Sequence, residues 1–261
     1  MSYKIIDTHA HYTSHKYSFD RDSFVQAEHR RGVDKIVEVG TNTDYIQKAM
    51  RLAKQYPFVY CGVGYFPHDV MELERDPKLM KNLSKLLTDN CVVYLGEIGL
   101  DYHRKTGGVP KDIQEKWFRK QIELAIEKNI PICIHSRDAE DDTMRIIKDY
   151  PEVSGSIHCF SYGPKSAEFY LERGFYLGVG GTITYPSNIL TREAISNTPI
   201  NRILTETDAP YLSPFPVMRE RNASTNIRYV VEEIAKLKNL DVPMDALGKK
   251  LYQNAVDFLK F

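Results

Sequence analysis

The chain has 261 residues, a length common for a single α/β barrel, and its 42% hydrophobic content excludes a disordered chain. Basic and acidic residues number 35 each, which excludes a protein that coats nucleic acid through bulk positive charge. The four cysteines form no C-x-x-C pair, which predicts buried thiols in a reducing compartment. Asp7, His9 and His11 interrupt the first apolar run, and no run approaches the ~18 apolar residues of a membrane span. We therefore expect no signal peptide and no membrane association, and predict a cytoplasmic protein.

Short apolar runs alternate with segments of helical spacing along the whole chain. The predicted strands are 4–8, 34–39, 58–63, 91–96, 131–135, 155–159, 175–179 and 202–206. The predicted helices are 20–32, 44–56, 77–88, 112–128, 138–150, 164–173, 188–196, 225–240 and 243–259. Such alternation implies parallel strands with right-handed crossovers, so we predict an α/β fold, a single (β/α)8 TIM-type barrel domain over residues 1–261. An open doubly wound sheet is the alternative, but its G-x-G-x-x-G fingerprint is missing after the first strand.

Two histidines follow the first predicted strand, two residues apart. In extended chain the side chains of His9 and His11 point to the same side, so both imidazoles can reach one point beyond the strand. Neutral imidazole nitrogens are ligands for divalent metals. For an isolated H-x-H, a turn residue beside a surface histidine would be the simpler interpretation. A metal site is favoured here because ligand-type residues recur downstream.

Four more ligand-type residues stand where later strands end: Glu97, His135, His158 and Asp208. Each alone could be a framework residue or a helix cap, but in a parallel barrel all would surround one rim. We therefore predict two divalent ions (Zn, Mn, Mg, Co or Ni) bound by His9, His11, Glu97, His135, His158 and Asp208. Glu97 is the predicted bridging ligand. Asp208 is predicted to orient a metal-activated water and take its proton, so Asp208 and Glu97 are the predicted catalytic residues.

Five spaced segments resemble the TatD family of metal-dependent deoxyribonucleases in the amidohydrolase superfamily. They are 7–11 (DTHAH), 96–102 (GEIGLDY), 135–139 (HSRDA), 158–160 (HCF) and 206–212 (ETDAPYL). The resemblance covers essentially the whole chain and implies a barrel, divalent metals and DNA hydrolysis, often as a 3′–5′ exonuclease. It also implies a division of the ligands: a first metal at His9, His11, Glu97 and Asp208, and a second at Glu97, His135 and His158.

Two segments depart from the pattern common in this family. After the third strand, members commonly carry G-[IV]-H-P-H, whereas residues 64–68 here are GYFPH, so Phe66 replaces the first histidine and His68 keeps the second. After the last strand a K-R-N-E-P segment is usual, whereas residues 219–224 are RERNAS, which keeps Arg221 and Asn222 but lacks Glu-Pro. The resemblance therefore predicts altered substrate contacts at both places.

Three side chains are predicted to contact the DNA substrate: His68, Arg137 and Arg221. A guanidinium offers a bidentate fork to phosphate oxygens, and both arginines lie in loops after strands five and eight. A plain loop role for His68, and pairing of Arg221 with Glu220, explain these two residues about equally well. The alternative for Arg137 is pairing with its neighbour Asp138. No obligate protein partner is indicated.

Two other functions compete with the nuclease hypothesis. A small-molecule amidohydrolase could cleave a cyclic amide or lactone on the same barrel, but many such enzymes bridge their metals with a carboxylated lysine where this chain has Glu97. A non-catalytic, metal-stabilised scaffold is disfavoured because it needs no set of six ligands at one rim. A narrow pocket would favour the amidohydrolase, and an open groove the nuclease.

Overall fold

The computed structural model of the chain describes residues 3–103 and 108–261. Eight parallel strands form a nearly closed barrel in sequence order, with helices between them, and this confirms the predicted (β/α)8 class. The strands are β1 Ile5–Ala10, β2 Val33–Gly40, β3 Val59–Val63, β4 Val92–Asp101, β5 Ile132–Arg137, β6 Gly155–Ile157, β7 Tyr176–Val179 and β8 Ile203–Thr205. The helices are α1 Arg21–Arg30, α2 Thr43–Gln55, α3 Met71–Arg75, α4 Leu79–Leu86, α5 Lys111–Lys128, α6 Glu140–Lys148, α7 Pro164–Glu172, α8 Ile189–Asn197, α9 Ile227–Leu237 and α10 Met244–Leu259.

The backbone contacts group the chain into two compact units. The first consists of residues 1–38 and 159–261, and the second of residues 39–158. That residues 1–261 form a single domain remains a prediction. No helix in the described part of the chain combines the length and the hydrophobicity needed to cross a bilayer.

Strand β4 differs most from its prediction. We expected it to end at residue 96 with Glu97 beyond it, but β4 continues to Asp101 because its last residues still pair with β5, from Ile98 with Ile134 to Asp101 with Arg137. Helix α3 was not predicted, since five residues are too few to show a helical period. The other predicted elements differ from the observed ones by a few residues at their ends.

Bulges interrupt β1 and β4 next to predicted ligands. In β1, Asp7 pairs with Ile36 and Ala10 pairs with Glu38, so β1 has one residue more than β2 over this stretch. In β4 the same excess lies between Leu95 and Ile98, opposite residues 132–134 of β5. A bulge bends its strand and re-aims the side chains within it. Both bulges therefore fall where the chain presents a predicted ligand, His9 in β1 and Glu97 in β4.

Candidate metal centre

In the first unit, the end of β1 and the segment after β8 bring three ligand-type side chains together. We call His9, His11 and Asp208 the β1 cluster. The Nε2 atoms of the two histidines are 3.2 Å apart, and Asp208 Oδ1 lies 3.2 Å from Nε2 of His11 and 3.9 Å from Nε2 of His9. The His9 side chain is fully buried, whereas those of His11 and Asp208 are 17% and 18% exposed. The cluster is therefore buried on one side and open to solvent on the other.

The spacing and chemistry of the β1 cluster fit a divalent ion. An ion with tetrahedral ligands at about 2.0–2.2 Å holds neighbouring donor atoms about 3.3–3.6 Å apart, close to the separations in this cluster. Imidazole nitrogen and carboxylate oxygen without thiolate suit zinc, manganese or cobalt. The ligand atoms of all three residues lie within 4.8 Å of one another. Residues His9, His11 and Asp208 can therefore provide three ligands to one ion.

A buried aspartate connects β1 to the segments that follow β8. Asp7 is fully buried, and its Oδ1 accepts hydrogen bonds from the N–H groups of His9 (3.3 Å) and Thr207 (3.1 Å). Its Oδ2 accepts from the hydroxyls of Thr207 and Ser224, both at 2.6 Å. Burial raises the pKa of Asp7 to about 7, although the hydrogen bonds from Ser224 and Thr207 oppose the shift. Asp7 thus fixes the backbone at His9, a predicted ligand, and at Thr207, the residue before the predicted ligand Asp208.

A second buried carboxyl orders the loop after His11. Glu38 accepts hydrogen bonds from the N–H groups of Tyr12 (2.7 Å) and Thr13 (2.8 Å), and from the Thr13 hydroxyl (2.6 Å). Burial raises the pKa of Glu38, and the hydrogen bond from Thr13 works against this shift. The loop is thereby held at the residue that directly follows His11.

The backbone of Asp208 has an uncommon conformation. Its φ is 58°, in the left-handed region, which aspartate tolerates better than most residues. Its N–H donates to the carbonyl of His9 (3.0 Å), and the neighbouring N–H of His11 donates to the carbonyl of Ala209 (2.7 Å). Strained backbone that the surroundings hold in place is common at functional sites. These bonds fix the Asp208 carboxylate beside the two histidines.

In the second unit, a histidine lies between two carboxylates. We call Glu97, Asp101 and His135 the β4 cluster. Nδ1 of His135 is 2.6 Å from Glu97 Oε1, and Nε2 of His135 is 3.2 Å from Asp101 Oδ2. Both acids are almost fully buried. His68 also reaches this cluster, with its Nε2 3.3 Å from the same Asp101 oxygen.

The charges of this group shift its pKa values in opposite directions. Burial lowers the pKa of His135, but the charge of Glu97 and the hydrogen bonds to both acids outweigh it, so the pKa is raised. Burial alone would raise the pKa of Asp101. Hydrogen bonds from His135 and from the N–H of His103 outweigh the effect of burial and lower the pKa to about 2. Asp101 is therefore ionised at neutral pH.

Sequence analysis did not identify Asp101 as a site residue. A usable signal was present, because Asp101 lies in the 96–102 segment four residues after Glu97, an even spacing that puts both side chains on one face of a strand. The signal was missed because the strand was predicted to end at residue 96.

His158 and His135 arise from neighbouring strands of the second unit. His158 follows β6, is 6% exposed, and its N–H donates to the carbonyl of Ile134 at 2.9 Å. This bond continues the β5–β6 pairing to the residue beside His135. Within each unit the structure thus brings predicted ligands together, His9 with His11 and Asp208, and Glu97 with His135. That all six residues form one centre remains a prediction.

Tight packing surrounds the β4 cluster. Gly99 has φ 143°, and a Cβ there would lie 1.9 Å from the carbonyl oxygen of His135, so only glycine fits between β4 and β5 at this point. The ring of Phe66 packs edge-on against His135, with centroids 4.6 Å apart, and lies 5.5 Å from the ring of His68. Phe66 thus packs an apolar ring against His135 where the family commonly has a histidine.

The two predicted phosphate-binding arginines have different surroundings. Arg221 makes a bidentate pair with Asp20 (2.8 and 2.5 Å) and donates to the carbonyl of Lys16 (2.8 Å). The hydrogen bond to Asp20 raises the pKa of Arg221, and its guanidinium stacks over the Tyr17 ring at 4.3 Å. Arg137 is exposed, and within residues 3–103 and 108–261 no carboxylate pairs with it. Substrate contact remains a prediction for both, with Arg221 already held by Asp20.

Comparison with known proteins identifies the family. The TatD related DNase family matches residues 6–260. The uncharacterized metal-dependent hydrolase YabD of Bacillus subtilis is 38% identical over 239 residues, which cover 90% of this chain and 92% of YabD. The 3′-5′ ssDNA/RNA exonuclease TatD of Salmonella typhimurium is 31% identical over 245 residues, 91% of this chain and 92% of that protein. The crystal structure of the TatD homologue YjjV from Escherichia coli K12 covers 100% of both chains with a TM-score of 0.86 and 28% identity. The resemblance found in the sequence is thereby confirmed, and the chain belongs to the TatD related DNase family of metal-dependent hydrolases.

Proposed function

We propose that this protein hydrolyses phosphodiester bonds in DNA from the 3′ end. Two divalent ions would be bound by His9, His11, Glu97, His135, His158 and Asp208. The observation that carries the proposal is the β1 cluster, whose three donor atoms are 3.2–3.9 Å apart at the end of a barrel strand. The name of the Salmonella relative, a 3′-5′ exonuclease on single-stranded DNA and RNA, supports the substrate class and the polarity.

The proposal of a single centre with all six ligands follows from the general geometry of parallel barrels. In a parallel barrel the carboxyl ends of all strands open on one rim, and five strands here carry a ligand at or near that end. Glu97 is the ligand best suited to bridge two ions, because its carboxylate has two oxygens and a bulge re-aims it within β4. His135 and His158 on the next two strands would complete the second ion's ligand set.

The residues around the ions divide the chemical work. Divalent ions at such a centre supply Lewis acidity that activates water and steadies charge on phosphoryl oxygens. Asp208, beside His11 and partly open to solvent, orients the attacking water and accepts its proton. Arg137 has an exposed guanidinium that can bind a phosphate oxygen of the substrate. Asp7 and Glu38 hold the backbone on either side of His9 and His11.

A metal-restoration assay tests the proposal. The protein is stripped with a chelator, reloaded with Zn, Mn, Mg, Co or Ni, and incubated with DNA that carries a label at either its 3′ or its 5′ end. We expect at least one ion to restore hydrolysis, with the 3′ label released first as a mononucleotide. His29→Gln removes a histidine of α1 outside both clusters and should behave as wild type. The proposal is wrong if no ion restores DNA hydrolysis, and cleavage of a lactone or cyclic amide instead would favour the competing amidohydrolase function.

A further inference from the structure

Tyr211 is an exposed aromatic residue directly beside the β1 cluster. Its N–H donates to the carbonyl of Asp208 at 2.8 Å. Its ring lies edge-on to the ring of His11, with centroids 6.4 Å apart. Tyr211 is nevertheless 41% exposed. An aromatic surface is therefore available to a ligand that reaches the candidate metal centre.

Neighbouring groups hold this ring in place. The side chain of Asn222 donates to the carbonyl of Tyr211 at 2.8 Å, and the Tyr211 hydroxyl is 3.4 Å from the hydroxyl of Ser14. The ammonium of Lys16 lies 4.4 Å from the ring centroid. A ring already fixed in this way loses little conformational freedom when a flat ligand binds to it. Tyr211 is thus preorganised for stacking.

The surrounding loops carry further features of a single-strand binding surface. Phe19 is fully exposed in the loop after β1, and Phe215 is 60% exposed in the loop after β8. Arg221, in the loop after β8, links the two loops. It donates hydrogen bonds to the carbonyl of Lys16 and to the carboxylate of Asp20, both in the loop after β1. Exposed aromatic rings stack unpaired bases, and a cation close to such a ring, as Lys16 is to Tyr211, binds their phosphates. Both loops flank the β1 cluster.

We propose that Tyr211 is the stacking platform for the terminal base of a single-stranded nucleic acid, with Lys16 contacting the backbone phosphate of that nucleotide. The inference rests on the proposed function and deepens it by naming the substrate class, single strands, that this site would favour. A paired terminal base is already stacked in its duplex and must separate before it can reach Tyr211. An unpaired base has a free face and binds without that cost.

The test compares two substrates across variants of Tyr211. One is a short single strand with a normal terminal nucleotide at the end where digestion begins, and the other has an abasic residue there. Tyr211→Ala should raise KM for the normal strand by about 5- to 100-fold, the range of one base–aromatic stack, and leave KM for the abasic strand unchanged. Tyr211→Phe keeps the ring face and should resemble wild type on both strands.

A matched control is available far along the chain. Phe261 is 37% exposed and has the ammonium of Lys35 at 4.9 Å from its ring, so it resembles Tyr211 in exposure and in its cation. It follows α10 and lies outside the β1 cluster, so Phe261→Ala should change KM for neither strand. Equal losses on both strands, an unchanged KM in Tyr211→Ala, or a loss of bound metal in that variant would each overturn the inference.

A binding measurement separates this inference from the proposed function. In the Asp208→Asn background, where turnover should be slow, fluorescence anisotropy gives the dissociation constant of each strand. Adding Tyr211→Ala should weaken binding of the normal strand by the same factor and leave the abasic strand unaffected. If wild-type protein binds DNA with this discrimination but hydrolyses none, the proposed function fails and the stacking site stands. If hydrolysis is metal-dependent but indifferent to the terminal base, the stacking site fails alone.

Discussion

The β1 cluster and the β4 cluster contain similar groups in opposite proportions. In the β1 cluster two imidazoles share one carboxylate, with Nε2 atoms 3.2 Å apart and Asp208 beside them. In the β4 cluster one imidazole lies between two carboxylates, at 2.6 Å from Glu97 and 3.2 Å from Asp101. The first therefore aims three ligand atoms at one point, whereas the second already satisfies its histidine from both sides.

This difference predicts unequal metal binding. An ion entering the β1 cluster meets three donor atoms that already converge and does not have to break a hydrogen bond between a histidine and a carboxylate as close as that of His135 with Glu97. An ion entering the β4 cluster must compete with His135 for Glu97, because those two side chains are in hydrogen-bond contact. We expect the first ion to bind more tightly than the second. The following predictions test this contrast, from the largest expected effect to the smallest.

The largest effect should come from Asp208→Asn. Asparagine keeps the shape of the side chain and tolerates the left-handed φ of 58°, but it cannot accept a proton from water. Turnover of DNA should fall by about 10²-fold or more, with at least one ion retained. The measurement is kcat together with metal content per chain.

The matched control is Asp257→Asn, which makes the same change at an exposed position of α10. It should leave kcat unchanged. A near wild-type rate in Asp208→Asn would mean that another group accepts the proton, so the β1 cluster would bind metal without supplying the base.

Glu97→Gln should lower the metal content per chain as well as the turnover. A neutral amide bridges two cations poorly and no longer attracts an ion against the pull of His135. We expect it to lose more metal per chain than His158→Ala, with the second ion lost first. Atomic emission spectrometry on dialysed protein measures the content, and equal, full occupancy in both variants would contradict the bridging role.

The part of this comparison that could be predicted from sequence is local. His9 and His11 were predicted because residues two apart in extended chain point their side chains to the same side, which depends on nothing distant. Asp101 was missed because the length of β4 depends on its pairing with β5, more than thirty residues away. Arg221 was considered with its neighbour Glu220, whereas its partner Asp20 lies on a segment near the start of the chain. Tyr211 lay within a predicted motif, but its exposure beside His11 depends on how the loop folds.

Asp101→Asn should weaken only the second ion. Asp101 contacts Nε2 of His135, so it orients the ring with Nδ1 toward Glu97, as carboxylates behind metal-binding histidines commonly do. We expect about 10- to 100-fold weaker affinity for the second ion and an unchanged first ion. Calorimetric titration of metal-free protein would resolve the two steps. Equal weakening of both steps would show that Asp101 supports the fold rather than His135.

The smallest effects should separate the two arginines, which differ as the two clusters do. Arg137, in the second unit, is exposed and has no carboxylate partner among the described residues, so it is available to phosphate. Arg137→Ala should raise KM for DNA a few-fold and reduce the slope of log affinity against log salt by about 1, the signature of one lost phosphate contact.

Arg221, in the first unit, is bound by Asp20 and stacked on Tyr17. Arg221→Ala should therefore lower the free energy of unfolding by about 1 kcal/mol, since partly exposed ion pairs and ring stacking contribute modestly, while the salt slope stays the same. Urea unfolding and salt-dependent binding on both variants check this. If Arg221→Ala lowers the salt slope as Arg137→Ala does, its pairing with Asp20 opens when DNA binds, and the contrast between the two units does not extend to their cations.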